Sequence, residues 1–226
     1  MNITKHLPNA LTLGNLFCGF AGIICSFIRP DLSTAWFVWI ACLFDFLDGF
    51  AARALKVTSP IGKELDSLAD VVSFGVLPSI FMYRLLDSNG AGYFAWSAFA
   101  LAAMAALRLA KFNTDTRQSY GFIGLPTPAH ALFITGILFL IEYAGLQSYT
   151  LQIGLGAVGA MSWLMVSEIS LPALKFKSFS WKENKLTWII PAGSLILIVL
   201  MKEAGIPASI LFYILISLIY PSPNKA

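Results

Sequence analysis

The stretch Asp45-Phe-Leu-Asp48-Gly49-Phe-Ala-Ala52-Arg53, continued through Gly62 to Asp66 and Asp70, sets four carboxylates in and beside apolar runs. A carboxylate at bilayer depth costs ~2.5–3.5 kcal/mol on insertion scales, so four left uncompensated would cost on the order of 10 kcal/mol. Cationic groups must therefore hold them together. Asp45 and Asp48 are three residues apart, with Ala52 four further on, so helical geometry puts all three on one face. Asp66 and Asp70 are four apart on a following helix, with Gly62 one turn earlier. A short turn around 57–62 makes the two helices antiparallel and brings the four acids toward one another. Hard oxygen donors without His or Cys suit magnesium or manganese rather than zinc. Four Asp have the capacity for two such ions, an arrangement suited to clamping a phosphoryl group during displacement.

The surrounding sequence is that of a membrane protein. Of 226 residues, 58% are hydrophobic and 12% charged, about half the charged fraction of an average soluble domain. Apolar runs near twenty residues recur, the length a bilayer-crossing helix requires. They predict an all-α, polytopic membrane bundle with about eight transmembrane helices, near 10–28, 34–55, 64–86, 92–112, 128–145, 149–168, 186–201 and 204–220. The first run lacks a small-residue cleavage site and reads as a permanent span. Before it, residues 1–10 read as a short interfacial segment stopped by Pro8, with Asn9 and Thr12 as polar groups near the helix start. No linker or repeat divides the chain, so a single domain over 1–226 is expected, its signature at 45–70.

Charge orients this bundle. With eight spans, one side collects Lys5, Arg53, Lys56, Lys63, Arg108, Lys111, Arg117, Lys175, Lys177, Lys182, Lys185 and Lys225, and the other Arg29, Arg84 and Lys202. The basic side faces the cytoplasm, which predicts a multi-pass protein of the cytoplasmic membrane with both termini and the acidic face on the inner side. The net charge of +3 is then topological and implies no nucleic-acid partner. Cys18, Cys25 and Cys42 sit in apolar runs without ligand spacing and read as small packing residues. His6 and His130 read as structural.

The pattern Asp45-x2-Asp48-Gly49-x2-Ala52-Arg53-x8-Gly62-x3-Asp66-x3-Asp70 resembles the complete signature of the CDP-alcohol phosphatidyltransferases. The resemblance implies an intramembrane enzyme that moves a phosphatidyl group from a CDP-linked lipid to an alcohol and releases CMP. By position it implies that Asp45, Asp48, Asp66 and Asp70 are metal ligands and that Asp70 is also the base for the attacking hydroxyl. Gly49, Ala52, Arg53 and Gly62 would border CDP-diacylglycerol, with Asn9 and Thr12 assigned to the same substrate. A homodimer is also implied, and Gly154, Gly156 and Gly159 offer a face that permits helix contact.

Two further stretches are similar to the serine-accepting branch of that family: Leu7–Gly19, with Pro8, Asn9, Thr12 and Asn15, and the Phe112-Asn113 element followed by Gly124-Leu-Pro126-x-Pro128. They imply L-serine as acceptor. Arg108, Asn113 and Arg117 are candidates to bind an acceptor's carboxylate or a phosphate, since Arg pairs bidentately with either, while Gly124, Pro126 and Pro128 shape a rigid loop. Glu168 departs from the Asn that relatives commonly carry after Ser167. Lys175 and Lys177 read as interfacial anchors. Glycerol 3-phosphate or inositol phosphate is the alternative acceptor within the family, and an ion-coupled transporter the alternative outside it.

Overall fold

The computed structural model describes residues 6–28, 33–57, 59–115, 121–172 and 185–220. The chain forms an all-α membrane bundle: α1 (Leu7–Ile28), α2 (Ser33–Leu55), α3 (Pro60–Asp70), α4 (Leu77–Ser88), α5 (Phe99–Thr114), α6 (Thr127–Tyr143), α7 (Thr150–Val166), α8 (Lys185–Met201) and α9 (Gly205–Ile219). Six stretches are long and apolar enough to cross a bilayer, and α6 is a shorter apolar helix. One of the six, Leu186–Ile219, is folded in two. A turn at Lys202–Ala204, with Lys202 at φ 53°, separates α8 from α9. The arms then pack side by side, so that a Cβ on Gly193 would lie 2.4 Å from the Phe212 ring.

Helix α1 shows how the bundle is organised. Thr12, Asn15, Gly19, Gly22 and Ser26 are buried, while Leu13, Phe17, Phe20, Ile24 and Phe27 are exposed. Small and polar side chains face the protein and large apolar ones face outward, as lipid-embedded packing requires, because burial from water gives no drive between helices there. Inside, Cys18, Val38, Ala41, Phe74, Leu77 and Ala131 form one core. A larger core joins α4, α5, α6, α7 and α9 around Met82, Leu86, Leu101, Ile134 and Ile137.

Three local features differ from the sequence reading. Helix α1 begins at Leu7 with Pro8 buried in its first turn, so residues 7–10 belong to the helix, and residues 1–5 of the expected interfacial segment lie outside the described ones. Helix α3 starts at Pro60, capped by Ser59, whose Oγ accepts from Gly62 N at 2.9 Å. Gly62 thus belongs to the helix and not to the turn before it. A proline at the first helical position leaves no backbone donor orphaned there. The helix then widens into a π segment at Val71–Val76 before continuing as α4. Such bulges, which insert a residue into the turn, are frequent at functional sites.

The Gly124–Pro128 loop is anchored more firmly than a turn alone would be. Gly121–Ile123 pairs antiparallel with Ser170–Pro172, Ile123 opposite Ser170. Gly124 N donates to Ile169 O and Leu125 N to Leu164 O, both at 2.9 Å. Gly124 has φ +76°, and a Cβ there would fall 2.5 Å from Met165 O, so only glycine fits.

Close contact between α1 and the π segment is what the fold can least spare. A Cβ on Gly19 would lie 2.8 Å from Ser73 Cα, a backbone atom that cannot rotate away. Gly19→Ala is expected to lower stability by about 1–3 kcal/mol, read from unfolding of the purified protein in detergent. Gly156→Ala, where a Cβ meets open space, is expected to leave the transition unchanged or raise it slightly.

Candidate active site

The carboxylates sit where α2 and α3 come under the polar face of α1. Asp45, Asp48 and Asp66 each offer an oxygen such that the three atoms lie within 4.8 Å of one another. Asp48 is buried, and Asp45 and Asp66 half-buried. Asp70, also buried, stands one turn beyond Asp66 and within electrostatic reach of the other three. The close cluster therefore holds three of the four expected ligands, with Asp70 at its side.

Two hydrogen bonds from α1 fix the buried pair. Thr12 Oγ1 lies 2.6 Å from Asp48 Oδ2 and 3.1 Å from Pro8 O. A hydroxyl has one proton, and the shorter contact with a charged acceptor takes it. Asn15 Nδ2 donates to Asp70 Oδ1 at 3.1 Å. Asn15 is in turn held by the π segment, since Ser73 Oγ donates to its carbonyl at 2.9 Å. Thr12 is thus a partner of a carboxylate. Asn15 and Ser73 were not identified as site residues from sequence. The spacing Thr12-x2-Asn15, two polar residues on one face of an apolar helix, was the available signal.

The donor set fits a divalent cation. All of its atoms are hard carboxylate oxygens, and Asp66 Oδ1 is buried with no hydrogen-bond partner. A buried charged oxygen left unpaired is costly, and a cation within the cluster would satisfy it. The triad is consistent with metal-assisted catalysis.

The remaining signature residues flank this cluster. A Cβ on Gly49 would touch only the Arg53 guanidinium, at 3.4 Å from Nη1. Arg53 is exposed and Ala52 half-buried. Gly62 faces the start of α1, where a Cβ would lie 3.1 Å from Asn9 Oδ1. Asn9 and Gly62 therefore adjoin on one side of the site, and Gly49 and Arg53 on another.

The candidate acceptor residues separate into three kinds. Arg108 is 6% exposed, donates from Nη1 to Thr127 Oγ1 at 3.2 Å and packs over the Phe112 ring at 5.4 Å. Its Nε is buried without a partner, and it lies within electrostatic reach of Asp70. Asn113 instead ties helices together: its Nδ2 donates to Ser67 Oγ at 2.8 Å, and its carbonyl accepts from Lys63 Nζ at 3.2 Å. Arg117 lies outside the described residues, as do Lys175 and Lys177. Glu168 is exposed. His130, read as structural, is fully buried with neither ring nitrogen hydrogen-bonded.

Residues 5–172 match the family of CDP-alcohol phosphatidyltransferases. The chain belongs to that family. It is 37% identical over 181 residues to a CDP-diacylglycerol–serine O-phosphatidyltransferase of Helicobacter pylori strain J99, covering 77% of this chain and 74% of the relative. A Bacillus subtilis strain 168 protein of the same name is 33% identical over 173 residues, covering 76% and 92%. A Methanocaldococcus jannaschii protein of that name is 36% identical over 174 residues, covering 76% and 77%. As a CDP-alcohol phosphatidyltransferase the chain is a multi-pass membrane enzyme, and the family match ends before α8 and α9 begin.

Hydrogen bonds from α1 are expected to matter for cation binding. Thr12→Val, which keeps the shape and removes the donor, should weaken manganese binding about 10–100-fold. Titration of the purified protein followed by the electron paramagnetic resonance of free manganese measures this directly.

Proposed function

We propose that this enzyme transfers the phosphatidyl group of CDP-diacylglycerol to the hydroxyl of L-serine, giving phosphatidylserine and CMP. The observation that carries the acceptor assignment is Arg108. It is a buried guanidinium with an unpartnered Nε, electrostatically coupled to Asp70, and so suited to an acceptor that carries a carboxylate. The printed names of the relatives from two bacteria and an archaeon support the same acceptor. A phosphorylated acceptor would call for more than one cation of this kind.

In this reading Asp70 takes the serine hydroxyl proton as the serine oxygen bonds to the lipid-side phosphorus. The bond from that phosphorus to the CMP oxygen breaks, and CMP leaves. Asn15 holds one Asp70 oxygen, which leaves the other for the proton. Asp45, Asp48 and Asp66, with Asp70, would hold two divalent cations, magnesium or manganese, which neutralise the pyrophosphate and stabilise the leaving CMP. Gly49, Ala52, Arg53 and Gly62 border the nucleotide, and Asn9, beside Gly62, completes that border.

The chain would cross the cytoplasmic membrane eight times, counting α6 and each arm of the folded α8–α9 stretch, with both termini and the site on the cytoplasmic side. The charge asymmetry supports that orientation. The diacylglycerol tails then remain in lipid while serine and CMP exchange with cytosol. A homodimer is part of this reading through the family resemblance.

The reading is tested with purified enzyme, CDP-diacylglycerol and labelled serine, glycerol 3-phosphate or inositol phosphate. CMP release dependent on serine alone is expected, and release dependent on another acceptor would displace the assignment. Asp70→Asn should lower turnover by at least about 10²-fold, and the loss should persist at manganese concentrations that saturate the variant, since a base is not replaced by refilling the metal site. Arg108→Leu should raise KM for serine by about tenfold or more, the worth of a charge-assisted hydrogen bond, with KM for CDP-diacylglycerol little changed.

A further inference from the structure

A second polar feature lies at the end of the bundle away from the carboxylates. Asp70 and Arg84 are on one nearly continuous helix, fourteen residues and thus roughly 20 Å apart along its axis. Arg84 lines a cavity of about 290 Å³ formed by the ends of α1 and α4 and the side of α6. Phe27, Phe81 and Leu138 supply its apolar wall. The Arg84 guanidinium packs over the Phe27 ring at 5.4 Å, while its Nε is buried without a hydrogen-bond partner.

The polar groups around Arg84 are of the opposite kind. Asp87 is an exposed carboxylate on the cavity lining. The hydroxyls of Ser26 and Ser88 spend their protons on Ile23 O at 2.7 Å and Leu85 O at 3.0 Å. Ser88 Oγ also receives a long 3.4 Å bond from the Asn89 amide. Both hydroxyls can therefore only accept from a ligand. The cavity lining thus combines one cationic group, one carboxylate, two hydroxyl oxygens free only to accept and the Tyr83 phenol with apolar side chains.

We infer that this cavity binds a glycerophospholipid whose head group carries a primary ammonium beside its phosphodiester. Arg84 binds the phosphate, Asp87 with the Ser26 and Ser88 oxygens receives the ammonium N–H groups, and the start of an acyl chain lies along Phe27, Phe81 and Leu138. An anionic head without an amine can donate hydroxyl protons to these acceptors but leaves the Asp87 charge without a counter-ion. A trimethylammonium head has no N–H to donate. Charge complementarity therefore selects one lipid class, in the leaflet opposite the carboxylate cluster. The assignment is independent of the acceptor used in catalysis.

Native mass spectrometry of the full-length protein with equimolar phosphatidylethanolamine, phosphatidylcholine and phosphatidylglycerol tests it. The wild-type protein is expected to retain phosphatidylethanolamine about tenfold over the other two, the worth of a charge-assisted hydrogen bond. Arg84→Gln should reduce that retention about tenfold. Asp87→Asn, at an exposed position where folding is not at stake, should remove the preference over phosphatidylcholine. Equal retention of the three lipids by wild type overturns the inference. So does unchanged selectivity in Asp87→Asn, or displacement of the lipid by millimolar inorganic phosphate, which would mark a site for free anions.

Discussion

Mutual repulsion among four carboxylates in a poorly solvated setting is the constraint around which this bundle is arranged. Helical spacing forces the acids into proximity: Asp45 and Asp48 share a face of α2, and Asp66 and Asp70 share a face of α3. Within those two helices Asp48 gains partial relief from the Gly49 backbone N–H and the Arg53 guanidinium. Further relief comes from α1, whose buried side replaces apolar residues by Thr12 and Asn15, and a divalent cation within the triad of Asp45, Asp48 and Asp66, with which the geometry is consistent, would supply more. The polar stripe on α1 costs little because its outer face remains apolar toward lipid. The first helix is thus part of the site although it carries none of the family signature.

The π segment follows from the same constraint. Asp70 ends α3, and the widened turn begins at the next residue. Ser73 within it donates to the Asn15 carbonyl, and Gly19 has no side chain so that Ser73 can approach. The chain therefore anchors Asn15 from its backbone while Asn15 anchors Asp70 from its amide. Asp66, Asp70 and Ser73 are spaced i, i+4 and i+7, the spacing of one helix face, and across the widened turn Ser73 still meets α1 through the Asn15 carbonyl.

Much of this was legible in the residues, and the rest was hidden for definite reasons. Repeated apolar runs announced a helical membrane bundle, and the spacing of Asp45, Asp48 and Asp66 announced their convergence, because both are local periodicities. The link between Asn15 and Asp70 spans 55 positions and depends on how two helices pack, which no local pattern encodes. The ribbon between Gly121–Ile123 and Ser170–Pro172 is hidden in the same way. The π segment Val-Val-Ser-Phe-Gly-Val has no composition that sets it apart from α-helix. A break between the last two apolar runs was visible, but the tight return of α9 onto α8 required the contact between Gly193 and Phe212.

Asn113 carries the last step of this logic. A polar residue at the end of α5 suggested a direct contact with the acceptor, yet its amide nitrogen is bonded to Ser67 and its carbonyl to Lys63. Ser67 is the neighbour of Asp66 in sequence, and its own hydroxyl lies 3.2 Å from Lys63 O. Asn113 thus fastens α5, the helix that bears Arg108, to α3, the helix that bears Asp66 and Asp70. Two helices joined by side chains near their ends hold the Arg108 guanidinium and the Asp70 carboxylate at a fixed separation. In the proposed reaction an acceptor would be held by one and deprotonated by the other, where a misplacement of about 1 Å costs up to about 10²-fold in rate. Asn113 is thus a fastening between α3 and α5, the two helices that carry those groups.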